Sequence, residues 1–268
     1  MSIKSLGFLL ILFVLGCVKE KEETTVQSQK TEGETCIPED LKQGMIAFYT
    51  FGSGSLQDKS GNGHHLINGT GALSGSDRAG NSNCAFVFKN TSGEGQVLSS
   101  PHPDFLNGLN AFSVSLWYQP SDALRADGAF ETLLSRDSGI SCPDKDGQWS
   151  LATYDCGRVV FGRTNSVWDV MTSGSCEEEI IKRTQHWHHI VATFDNNGEL
   201  MNLYQNGELQ ESSSGSAQCS DGTPVVQDTG DLFIGRNFTG KIDDVIIYNR
   251  VLSPADVVRL SKMNACCQ

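Results

Sequence analysis

Residues 200–210 read Leu200-Met201-Asn202-Leu203-Tyr204-Gln205-Asn206-Gly207-Glu208-Leu209-Gln210. Asn-Gly between two β-prone runs is the preferred pair for a two-residue type I′ hairpin, because both central positions need a positive φ. The reading predicts strands over 200–205 and 208–210 joined by a tight turn. Upstream, 187–195 (WHHIVATFD) is a further strand. The run 112–119 (FSVSLWYQ) alternates: Phe112, Val114, Leu116 and Tyr118 share one face, and Ser113, Ser115 and Trp117 share the other. Further strands are read at 45–51, 85–88, 149–154, 158–164, 232–235 and 241–248, with Asp155-Cys156-Gly157 as a hairpin connection. One short helix is expected near the end. There Ser253 supplies an N-cap, Pro254 the first helical position and Asp256 an acid in the first turn.

Composition agrees with a turn-rich β protein. The 268 residues hold 28 glycines against 7 prolines, with 38% hydrophobic side chains. That length would suit nearly two domains of about 150 residues, yet no second composition regime and no internal repeat occurs after residue 36. A formal net charge of −12 argues against nucleic acid and anionic membrane surfaces as partners.

The N-terminus sets the compartment. Lys4 precedes the ten-residue apolar run 6–15 (LGFLLILFVL), which is long enough for a signal h-region and too short to span a bilayer. Val14-Leu15-Gly16-Cys17 resembles a bacterial lipobox, in which the cysteine becomes lipidated and N-terminal. Residues 18–35 are almost free of apolar side chains and read as a disordered acidic tether. Its cluster Lys19-Glu20-Lys21-Glu22-Glu23 resembles the surface-export signal of Bacteroidetes lipoproteins. The organisation expected is a signal peptide at 1–16, a lipidated Cys17 with tether at 17–35, and one sandwich domain at 36–268. The resemblance implies a lipid-anchored protein of the outer membrane, facing the cell exterior.

Eight cysteines remain after Cys17: 36, 84, 142, 156, 176, 219, 266 and 267. An even number in an exported chain suggests disulfides. Cys36 is expected to reach the Cys266-Cys267 pair, because these residues bracket the domain and termini often lie close together. Zinc is a poor rival, since no C-x-x-C spacing occurs.

Four further stretches carry a family resemblance. They are 44–51 (GMIAFYTF) with 58–65 (DKSGNGHH), 112–117 (FSVSLW), 187–195 with 203–207 (LYQNG), and 240–253 (GKIDDVIIYNRVLS). In this order they resemble the laminin-G-like, pentraxin-like members of the concanavalin A-like lectin/glucanase superfamily. The resemblance implies an all-β jelly roll: a two-sheet antiparallel sandwich of about a dozen strands with one short C-terminal helix. It also implies a structural Ca²⁺ where the 58–63 loop meets the 242–244 strand. Asp58 would give a carboxylate, Asn62 an amide oxygen, and Asp243 or Asp244 a second acid, since calcium wants six to eight oxygens. Adjacent strand residues point to opposite faces, so only one of the two aspartates is expected to contribute its side chain.

The E-x-D-x-x-E of superfamily glucanases does not occur, nor does a G-x-S-x-G elbow or a phosphate-binding loop. Glu177-Glu178-Glu179 reads as a solvated run, and Asp144-Lys145-Asp146-Gly147 as an incomplete calcium loop. His186 and His188 would share a strand face, but the W-H-H segment is framework in the family. For sugar, an aromatic face must be exposed. Trp117 and Trp187 lie in core-type strands and Trp149 opens one, which leaves Trp168, within Asn165-Ser166-Val167-Trp168-Asp169, as the candidate contact. The function expected is a non-catalytic surface lipoprotein that binds carbohydrate through a calcium-stabilised domain, with a glycan-acting enzyme as the third and weakest reading. A protein-binding adhesion module is the alternative. The partner is then a glycan or an extracellular protein.

Overall fold

The computed structural model describes residues 36–91, 95–121, 130–137, 148–154, 158–163, 186–195, 200–214 and 230–267. The described residues form thirteen strands. In chain order they are β1 (Met45–Tyr49), β2 (Leu73–Gly75), β3 (Ala85–Phe88), β4 (Leu98–Ser100), β5 (Ala111–Pro120), β6 (Glu131–Asp137) and β7 (Trp149–Tyr154). There follow β8 (Arg158–Arg163), β9 (His188–Asp195), β10 (Leu200–Gln205), β11 (Glu208–Ser214), β12 (Asp231–Ile234) and β13 (Gly240–Tyr248). The one α-helix among the described residues, α1 (Pro254–Leu260), follows β13.

Two antiparallel sheets result. The larger has eight strands in the order β11-β10-β9-β5-β13-β3-β2, with β1 also on β13. The smaller has five, β4-β12-β6-β7-β8. The strand β13 organises the large sheet. One edge pairs with β5 along its length, while the other is shared by β3 at Gly240–Ile242 and β1 at Val245–Tyr248.

The alternation of 112–119 holds. Phe112, Val114, Leu116 and Tyr118 face the other sheet and meet Leu134, Trp149, Leu151, Phe161, Leu232 and Ile234 in one buried core. Asn206 and Gly207 both have positive φ, +53° and +89°, so the hairpin turn is of the expected type. Three strands escape the sequence reading: β2, β4 and β6. The first two are three residues long, and β6 carries a bulge at Leu133 that breaks its alternation.

A second apolar layer covers the outer face of the large sheet. Val257 and Leu260 of α1, with Ile37, Leu41 and Leu252, pack on Phe48, Val191, Tyr204, Ile246 and Tyr248. The helix starts as expected. Ser253 Oγ accepts from Asp256 N, and the Asp256 carboxylate accepts from Ser253 N, a reciprocal capping box. Two disulfides fix the tail, Cys36–Cys266 and Cys84–Cys267, with Cα separations of 5.5 and 5.3 Å. Cys36 therefore joins the C-terminal pair as expected, and the second member of that pair takes Cys84.

Candidate functional site

Polar groups concentrate on the outer face of the large sheet, beneath the residues that follow α1. The loop between β2 and β3 builds this cluster. Asp77 Oδ1 accepts from Ala79 N and Asn81 N at 2.9 and 2.8 Å, and Oδ2 accepts from Asn81 Nδ2 at 2.8 Å. This closed turn fixes Arg78 over the sheet. Arg78 Nη1 donates to Asp243 Oδ2 at 3.0 Å and to Asp244 Oδ2 at 2.6 Å. Its Nη2 donates to the carbonyls of Met263 and Asn264. The guanidinium also lies 4.3 Å from the ring centre of Trp117, in cation–π range.

Both aspartates reach Arg78, where strand alternation predicted one. The reason is a bulge. Asp243 opposes Trp117 and Ile246 opposes Ser115, so Asp244 and Val245 together face Leu116. Asp244 has φ +46°, and its side chain turns to the same face as Asp243. Burial, then the neighbouring Asp244 charge, push the Asp243 carboxyl up to about 9 against the pull of Arg78. Burial pushes Asp244 up to about 6, with Arg78 opposing.

His189 borders the same cluster, beside Arg78, Trp117 and Asp244. Its Nε2 is 2.9 Å from Ser115 Oγ, and Trp117 lies beside it. Burial and then the Arg78 charge lower its pKa to about 3, so the ring is neutral. His189 Nδ1 and Asp244 Oδ1 are buried without a partner among the described residues. A Ser-His pair and two close carboxyls are thus present, but they do not make a hydrolytic centre. The histidine is too weak a base near neutrality, and both carboxylates share one guanidinium beneath the tail.

The four expected calcium donors fall into two separate networks. Asp58 lies in the 58–65 turn. Its Oδ1 accepts from Phe48 N and Ser60 N, and its Oδ2 from Ser60 Oγ and His64 N. Burial pulls its carboxyl upward, but the bonds from Phe48, Ser60 and His64 outweigh that and hold it below the usual range. Asn62 presents its amide nitrogen rather than its oxygen, donating to the carbonyls of Met45 and Ile46 and to Ser60 Oγ. The cation facing Asp243 and Asp244 is Arg78. Among the described residues no hydrogen bond links one pair to the other. The set Asp58, Asn62, Asp243 and Asp244 does not fit one calcium ion.

Other sites can also be placed. Asp77, Cys84 and Cys267 bring three potential ligand atoms within 4.8 Å, but both sulfurs belong to the disulfide. His186 is exposed ahead of β9, while His188 is buried against Tyr118, so the two do not form a pair on one face. Trp149 is buried against Phe112, and Trp117 and Trp187 are half-buried. Cys17, Trp168, Asp144–Gly147 and Glu177–Glu179 lie outside the described residues. Sequence reasoning missed Arg78. Its signal was the turn-forming run Asp77-Arg78-Ala79-Gly80-Asn81, which ends three residues before Cys84.

Two antiparallel sheets packed face to face, with one short C-terminal helix, have the architecture of a jelly-roll sandwich. A laminin-G family model, described as the concanavalin A-like lectin/glucanases superfamily, matches residues 91–258. The chain belongs to that superfamily. Three solved structures are similar in fold. The binding domain of Paraclostridial mosquitocidal protein 1 gives a TM-score of 0.63 at 19% identity, covering 82% of this chain and 52% of that one. The botulinum neurotoxin serotype D binding domain gives 0.61 at 19% identity, covering 83% and 52%. The binding domain of botulinum neurotoxin DC, in complex with rat synaptotagmin II, gives 0.59 at 15% identity, covering 82% and 52%. The chain spans about half the length of these structures. No curated protein matches it.

Proposed function

We propose that the 36–268 domain is a non-catalytic binding module for carbohydrate, held at the cell surface by a lipid on Cys17 of an outer-membrane lipoprotein. The observation that carries this reading is the superfamily match over 91–258. The state of the carboxylates supports the non-catalytic part. A retaining glycosidase needs two carboxyls about 5 Å apart on either side of a sugar. Asp243 and Asp244 are close, but both are buried under Arg78, and no sugar can enter between them. Calcium has no part in this reading.

A protein partner is the second reading. It is favoured by the likeness to a toxin domain whose structure includes rat synaptotagmin II. Residues 35–268 form one compact unit, so the soluble domain is a suitable probe. A glycan array with this fragment, run with calcium and with chelator, tests the choice. Binding to a defined glycan class in both conditions is the result expected. Silence in both overturns the carbohydrate reading in favour of a protein ligand.

A further inference from the structure

The two disulfides share a junction. Cys36 bonds Cys266, Cys84 bonds Cys267, and Cys266 and Cys267 are consecutive. The four cysteines therefore close one covalent ring around residues 37–83. That ring holds the turn Glu39–Lys42, β1, the 58–65 turn, β2 and the Arg78 loop. From Cys36 the shortest covalent route into the sandwich does not follow the chain. It crosses to Cys266, passes one peptide bond to Cys267, crosses to Cys84, and enters β3 at Ala85.

We propose that this ring is a load path, and that the domain is built to carry tension arriving at residue 36. The inference takes its source of tension, a surface tether ahead of Cys36, from the proposed function. Without the bridges, tension at residue 36 would first pull Ile37 and Leu41 out of the outer apolar layer and then reach β1. Among the described strands β1 pairs only with β13, through Met45, Ala47, Phe48 and Tyr49. Pulled from its end, it would lose these pairs one after another. Tyr49 and Ala47, which belong to the main core, would leave with it. With the bridges, tension enters β3, next to the central strand β13, and the whole ring is shielded. Arg78 adds a non-covalent clamp at the junction, since it holds the carbonyls of Met263 and Asn264 beside Cys266. The pairing of a vicinal Cys266-Cys267 with two distant partners thus serves a purpose that neither bridge serves alone.

Single-molecule stretching of the full chain tests this. One handle is placed ahead of residue 36, and the other is inserted at the exposed Gly108. Complete unfolding of the oxidised protein should release only residues 84 to 108, about 86 Å at about 3.6 Å per residue. Cys84→Ser should release residues 36 to 108, about 260 Å on the same scale. Reduction of the wild-type molecule in place by a phosphine gives the same comparison without relying on a variant that must fold. Each disulfide then yields two thiols, with the phosphine and one water converted to the phosphine oxide. A release of about 260 Å from the oxidised wild type would overturn the load path, as would a short release that survives loss of Cys84. Neither length depends on what the domain binds, so failure of the carbohydrate reading leaves this result intact.

Discussion

Arg78 Nη1 lies 2.6 Å from Asp244 Oδ2, and this contact ties the β2–β3 loop to the bulge in the central strand. The same nitrogen is 3.0 Å from Asp243. Removing Arg78 leaves the buried Asp244 carboxylate without its counter-charge and the Asp243 carboxyl without its donor. Arg78→Met should therefore destabilise the domain by about 3–5 kcal/mol in urea unfolding near neutral pH. Arg78→Lys should recover only part of this, because an ammonium cannot reach both carboxylates and two carbonyls in one plane.

The raised acids give a pH dependence of unusual sign. An acid with a higher pKa folded than unfolded binds more protons when folded, so it favours folding most at low pH. For Asp243 the window runs from its unfolded value of about 4 up to about 9 in the folded chain. Stability should fall as pH rises through this window. Asp243→Asn should flatten the slope, measured as urea midpoints across the same pH series.

Asp58 has the opposite sign. Its carboxyl is held low, so its contribution is present above the unfolded value of about 4 and is lost as pH falls below it. Asp58→Ala leaves the N–H groups of Phe48, Ser60 and His64 without their acceptor. A loss of about 1–3 kcal/mol is expected near pH 7. The difference from wild type should shrink in acid, and equilibrium unfolding at both pH values checks it.

Gly207 is constrained twice. Its φ of +89° disfavours any side chain, and a Cβ there would lie 2.6 Å from Ser261 Oγ. Gly207→Ala should cost at least about 1–2 kcal/mol from the backbone alone. Adding Ser261→Gly should relieve only the steric part, which a double-mutant cycle separates.

The fold was largely legible because its strands are long, alternating and marked by specific turns. Phe112 to Tyr118 shows the face of β5, and Asn206-Gly207 shows the hairpin. β6 was not legible, since a bulge at Leu133 hides its period, and β2 and β4 were too short to show one. The site was legible only in part. Asp58, Asn62, Asp243 and Asp244 were all singled out, but residue type cannot show which counter-charge meets a carboxylate. Arg78 is 165 positions from Asp243, and nothing local to either aspartate announces it. The pairing of Asp243 with Asp244 on one face depends on a single residue of backbone irregularity that alternation rules exclude.

That irregularity changes how β13 would respond to an altered length. Ile242 faces the core before the bulge, and Val245 and Ile247 face it afterwards. In a regular strand, losing one residue turns every later side chain to the wrong side. Here, loss of Asp244 would join Asp243 directly to Val245 and restore strict in-out order. The main core would keep every apolar residue that β13 supplies. The change would fall instead on Arg78, which would lose one of its two carboxylates, and on Cys266 N, which donates to Asp244. The central strand is thus one residue longer than its own packing requires, and that extra residue anchors the tail.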